Sequence, residues 1–218
     1  MLQVIKNVLD ADTLKKVQAE IASGQFDDGR NTAFGMARKV KNNLQLTISA
    51  HQELHKLIRN AIVAHPEFQR LAMPLRMSQL RIARYEIGMA YGYHSDSALI
   101  DGVRTDASFS LFLTEPATYT GGELAMATPV GDIKVKLPAG TLVLYSTGQI
   151  HRVLPVTSGK REVAVGWVQS LIRDEDQRDV VADLDLMRRD YLQRVGHDGF
   201  ADKLLKCSNN LRRLWVEP

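Results

Sequence analysis

The chain has 218 residues, enough to bury a substantial core in one domain with additions rather than in two full domains. A hydrophobic fraction of 44%, a charged fraction of 24% and a formal charge of +3 are those of an ordinary globular protein, so composition implies neither disorder nor a nucleic-acid partner. A single cysteine, Cys207, excludes an internal disulfide and reads as structural filler in a reducing cytoplasm, and no apolar run approaches a membrane span or a signal sequence.

Residues 1–77 read as a mostly helical support. Leu2–Ile5 suits a short strand. Asp10 or Asp12 suits the cap of a helix through Thr13–Ser23, which places Leu14, Val17 and Ile21 on one face. Gly24–Asn31 reads as a polar break. Leu44, Leu46 and Ile48 alternate with polar residues over an extended Leu44–Ser49, and a helix over His51–Ala64 is expected to stop near Pro66. His51 and His55 share the i, i+4 spacing of a zinc site. Gln52 stands where a metalloprotease has its glutamate, so a solvated helix face is the better reading.

From about Ser78 the period changes to two, and residues 78–171 read as the core. Strands are expected over Ser78–Ile87, Tyr91–Ser97, Ser108–Leu113, Glu123–Thr128, Ile133–Leu137, Thr141–Tyr145 and Glu162–Gln169, with turn signals at Gly121-Gly122, Pro129, Pro138 and Gly159. Ile133, Val135 and Leu137 against Lys134 and Lys136 make a half-buried antiparallel strand. Short strands without intervening helices imply a mainly β fold with flanking helices. The core would be a jelly roll, a double-stranded β-helix with two sheets around a cleft. Residues 172–218 return to helical spacing, through Val180, Leu184, Met187, Tyr191 and Val195 and then a second helix near Phe200–Leu214. That stripe suits packing on the core or on a second subunit, whereas the Arg173–Arg178 cluster and Arg212-Arg213 read as solvated surface or subunit contacts.

His94-Ser95-Asp96 carries the chemistry. On an extended strand His94 and Asp96 point to one side while Ser95 faces away. With His151 they form the two-histidine, one-carboxylate set that holds non-haem Fe(II) with coordination positions left open. Arg161 shares strand parity with Val163, Val165 and Trp167, and its guanidinium suits a dicarboxylate cosubstrate.

The stretch Tyr85-Glu86-Ile87-Gly88-Met89-Ala90-Tyr91-Gly92-Tyr93-His94-Ser95-Asp96 resembles the metal-strand motif of prolyl-4-hydroxylase-like Fe(II)/2-oxoglutarate dioxygenases. Gly121-Gly122-Glu123 and the run from Gly140 through His151 and Pro155-Val156 to Arg161 match the second half of that pattern. Arg161 in place of a lysine, together with the helical tail, makes the chain most similar to bacterial PKHD-type hydroxylases, which are associated with iron uptake. The resemblance implies His94, Asp96 and His151 on Fe(II), 2-oxoglutarate paired with Arg161 and hydrogen-bonded by Tyr85, ascorbate as reductant, and hydroxylation by O2 of a peptidyl or small-molecule substrate. A carboxylate at Asp96 implies hydroxylation rather than the halogenation of relatives with glycine or alanine there. Two other readings stay open: an iron- and 2-oxoglutarate-binding sensor, and a cupin-like metal-dependent binding module. Leu99–Asp106, just past the metal strand, is expected to act as a lid.

Overall fold

Alternation along the strands decides what faces helices and what faces the cleft. In a computed structural model that describes residues 2–217, Leu142 and Leu144 point outward to the helical layer, whereas Val143 and Tyr145 point inward. Ile82 likewise points out, and Ala83 and Tyr85 point in. Met1 and Pro218, the outermost residues of the expected N- and C-terminal zones, lie outside the described residues.

Two main antiparallel sheets result, beside two two-stranded ladders. The larger runs Leu2–Ile5, Leu142–Ser146, Ala107–Phe112, Arg161–Ser170, Arg81–Tyr85, Leu44–Leu46 and Phe26–Asp28, with Pro74–Met77 paired to the far end of Arg161–Ser170. The smaller runs Ile133–Val135, Leu124–Met126, His151–Val153, Ala90–His94 and Lys41–Asn42. This is the expected jelly-roll-like core, with helices at both ends of the chain. Residues 41–46 cross from one sheet to the other at Asn43, which lines the cleft.

Helices Ala11–Ser23, Gln52–Ala64 and Pro66–Ala72 cover the outer face of the larger sheet through Val17, Ile21, Ile58, Ile62 and Phe68, all fully buried. Each such side chain contributes about 1.5–3 kcal/mol of transfer free energy. Asp10 caps the first helix by accepting from the Thr13 amide at 2.7 Å.

Several local expectations give way to packing. Pro66 does not only end a helix; it opens Pro66–Ala72, where its missing N–H costs nothing at the first position. Gly24–Asn31 is not a plain break, because Phe26–Asp28 pairs with Leu44–Leu46. Leu44–Ser49 is extended only to Leu46 and then turns through a short 3-10 helix, Ile48–Ala50. His55 is buried, not solvated, and His51 precedes its helix and contacts Glu20 at 3.2 Å. Ile133 is exposed, so only Val135 of that strand is buried. In the tail, helices Glu175–Arg194 and Gly199–Trp215 form as expected. The buried stripe, however, is Arg178, Val181 and Ala182, while Val180, Met187 and Val195 are exposed. Arg178 is not solvated: it is 1% exposed and donates to the Ile172 and Arg173 carbonyls. Arg212 pairs with Asp185 of the preceding helix, and Cys207 is exposed rather than filling the core. Among the described residues no helix is long and apolar enough to cross a membrane.

Candidate active site

The antiparallel pairing of Ala90–His94 with His151–Val153 sets His94 opposite His151, so one ladder rung brings both imidazoles to the cleft. Asp96 lies two residues beyond the end of its strand rather than on it. One ligand atom from each of His94, Asp96 and His151 lies within 4.8 Å of the others. His94 Nε2 stands 3.8 Å from one Asp96 oxygen and His151 Nε2 stands 3.9 Å from the other.

Backbone carbonyls fix which ring nitrogens face the centre. His94 Nδ1 is 2.8 Å from the Gly92 carbonyl and His151 Nδ1 is 2.9 Å from the Gln149 carbonyl. A carbonyl only accepts, so each Nδ1 carries the proton and each Nε2 offers its lone pair inward. Burial, then the neighbouring His151, pushes His94 down to about 4, which keeps it neutral as a ligand must be. Ser108 donates to Asp96 Oδ2 at 2.9 Å and is itself 3.0 Å from the Thr147 hydroxyl. Two imidazoles and one carboxylate are a donor set that suits Fe(II).

On the facing sheet, Arg161–Ser170 pairs with Arg81–Tyr85 so that Arg161 stands opposite Tyr85. Arg161 is 1% exposed, and its Nε and Nη1 atoms have no hydrogen-bond partner among the described residues. Its guanidinium lies 5.1 Å from the Tyr85 ring centroid and 5.5 Å from that of Phe112. A buried cation left in this way fits a ligand carboxylate, since an unpaired buried charge is otherwise costly. Gly122, at φ +67, backs this corner: a Cβ there would come within 3.1 Å of Arg161 Cδ.

His94, Asp96, His151, Tyr85 and Arg161 line one cavity of about 210 Å³ between the sheets. Arg161, Val163, Val165 and Trp167 all line it, as their shared parity requires. Tyr91 and Tyr145 contribute rings as well as packing: Tyr91 stacks on His94 with centroids 3.6 Å apart, and Tyr145 meets His151 edge-on. Arg152 pairs with Asp132 and Lys160 with Glu162, so neither competes with Arg161 for the corner. Leu99–Ile100 and Val103–Arg104 form a hairpin at the mouth, held by Asp101 to Arg81 at 3.3 Å and to the Gln79 amide at 3.2 Å. Sequence reasoning misses Ser108, Thr147, Lys41 and Asn43. Only Ser108 leaves a signal, as one of two serines, with Ser110, in the otherwise apolar run Ala107–Phe112.

Residues 80–169 match the 2OG-Fe(II) oxygenase superfamily. A PKHD-type hydroxylase of Maricaulis maris is 42% identical over 218 residues, covering 100% of both chains. One of a Picosynechococcus species is 43% identical over 215 residues, 98% of each chain. A prolyl hydroxylase of Trichoplax adhaerens, solved with a hypoxia-inducible factor peptide fragment, superposes with a TM-score of 0.59 at 17% identity, covering 82% of this chain and 86% of that one. A prolyl-4-hydroxylase of Pseudomonas putida gives a TM-score of 0.52 at 21% identity, covering 78% and 92%. At such identities these last two likenesses speak for the fold.

Proposed function

Because the chain belongs to the PKHD-type hydroxylases of the 2OG-Fe(II) oxygenase superfamily, we propose that His94, Asp96 and His151 hold its Fe(II) and that Arg161 and Tyr85 hold its 2-oxoglutarate. The protein is an Fe(II)/2-oxoglutarate-dependent dioxygenase, a hydroxylase that uses O2 and 2-oxoglutarate as co-substrates. Bound Fe(II) supplies the O2 activation that couples decarboxylation of 2-oxoglutarate, to succinate and CO2, to oxygen insertion into a substrate C–H bond.

The observation that carries the residue assignment is the buried Arg161 guanidinium, whose Nε and Nη1 have no hydrogen-bond partner among the described residues, in the same cavity as the His94, Asp96 and His151 atoms. Arg161 pairs with the distal carboxylate, and Tyr85, neutral because burial raises its phenol, offers an O–H to the same ligand. Ser108 holds the Asp96 carboxylate in place, and the Gly92 and Gln149 carbonyls hold the two imidazoles. Val153, Val163 and Leu124 exclude water from the walls.

Residues 78–171 form the catalytic unit in this reading, with 1–77 as support and 172–218 as an extension. The exposed Met187, Val195 and Phe200 of the extension suit a homo-oligomer contact. Ascorbate serves as reductant for the iron, and a reducing cytoplasm suits a chain with one free cysteine. The substrate is a small molecule or a peptide. Succinate release from 2-oxoglutarate under O2 tests the assignment: wild type should turn over, and Asp96→Ala and Arg161→Met should not. Equal turnover in either variant would remove that residue from the site. Ligand binding without succinate in wild type would favour the sensor.

A further inference from the structure

If Fe(II) and 2-oxoglutarate bind as proposed above, the cavity keeps a charge that they leave unanswered. Apart from histidines and tyrosines, the ionisable side chains lining it are Lys41, Arg81, Arg161, Asp96 and Asp101. These sum to one positive charge, and adding the dication and the dianionic cosubstrate does not change the sum. Arg81 is paired with Asp101. Lys41 has no carboxylate partner among the described residues.

Lys41 is 7% exposed, and its Nζ donates to Thr32 Oγ1 at 3.0 Å. An ammonium has three donors, so two remain. The same Nζ lies 5.3 Å from the centroid of Tyr91, the ring stacked on His94. One aromatic ring therefore separates this charge from the proposed iron site. Arg81 reaches the carbonyl of the same Thr32 and lies 5.1 Å from the centroid of Trp167, which also lines the cavity. Burial holds Lys41 down at about 8, so it stays mostly charged at neutral pH and the fold carries its cost. At the mouth, Phe34 and Leu99 line the cavity yet are 81% and 69% exposed.

We propose that Lys41 binds a single carboxylate of the prime substrate, whose apolar body lies against Phe34 and Leu99. The substrate class is thus an apolar monocarboxylate, entering head-first beside the His94 wall.

The test uses full-length protein loaded with Mn(II) and 2-oxoglutarate, which binds without turnover. Calorimetry first measures 2-oxoglutarate itself, then N-acetylated apolar amino acids and short aliphatic monocarboxylic acids, each against its carboxamide. Wild type should bind at least one acid about ten-fold or more tightly than its amide, the scale of one charged hydrogen bond. Lys41→Met should lose that preference with 2-oxoglutarate affinity unchanged, and Lys41→Arg should keep it. No acid preference in wild type, or one that survives in Lys41→Met, overturns the proposal. The wild-type comparison decides even where a variant fails to fold. Failure of 2-oxoglutarate to bind wild type is read in the first titration and overturns the cosubstrate site on which the proposal rests.

Discussion

At Arg161 a full charge is buried 1% exposed with Nε and Nη1 unpartnered, an arrangement that costs stability until a carboxylate arrives. Arg161→Met should therefore leave the ligand-free protein as stable as wild type or more so. The same change should raise the 2-oxoglutarate dissociation constant roughly thirty-fold or more, as losing one partner of a buried charge pair does. Calorimetry and thermal unfolding read both, and unchanged affinity would sink the clamp. Ser108→Ala removes the donor to Asp96 and the contact with Thr147, so metal affinity should fall about 10–100-fold with the fold intact, measured by titration with Mn(II). Lys41 gives a pH dependence. Its folded value of about 8 lies below the ordinary lysine value of 10.5, so between the two the unfolded chain binds more protons and stability rises with pH. Lys41→Met, freed of that cost, should exceed wild type by an amount on the order of 1–3 kcal/mol below the window, the gap closing as pH climbs through it. A gap independent of pH would mean that Lys41 is not strained.

At the scale of elements, the hairpin Leu99–Ile100 and Val103–Arg104 hangs over the mouth on the Asp101–Arg81 pair. Asp101→Ala should speed limited proteolysis within it, and Mn(II) with 2-oxoglutarate should slow the wild-type cut; equal rates with and without ligands would remove the lid. The elements also show what a sequence can and cannot display. The His94–Asp96 spacing, and the parity of Arg161 with Val163, Val165 and Trp167, are legible before any packing is known, although Asp96 falls just past its strand and His151 joins them only through a sheet pairing. The contacts that hold them are not legible. Ser108 meets Thr147 across 39 residues of chain, through a sheet pairing that no local pattern announces. Strands of two or three residues, such as His151–Val153 and Lys41–Asn42, are too short for a period to show, which hides the Lys41 wall altogether. Burial of His55 and Arg178 is hidden for a related reason: a polar residue on a helix reads as solvated until a neighbouring element covers it.

Across the whole molecule, the helical layer and the cavity lie on opposite faces of one sheet, so stability and ligand binding should separate. Ile58 is fully buried under that layer, on the side away from the cavity. Ile58→Ala should cost about 2–5 kcal/mol in urea unfolding while leaving 2-oxoglutarate affinity within error of wild type. A parallel loss of affinity would mean that the outer core shapes the site. The central claim, that one cavity assembles Fe(II) on His94, Asp96 and His151 with 2-oxoglutarate on Arg161, has a direct optical test. Fe(II) and 2-oxoglutarate added anaerobically to purified protein should give a visible metal-to-ligand charge-transfer band. The band should vanish in Asp96→Ala and need far more 2-oxoglutarate in Arg161→Met. Folded, iron-loaded wild type without that band, or a band indifferent to both substitutions, would contradict the account.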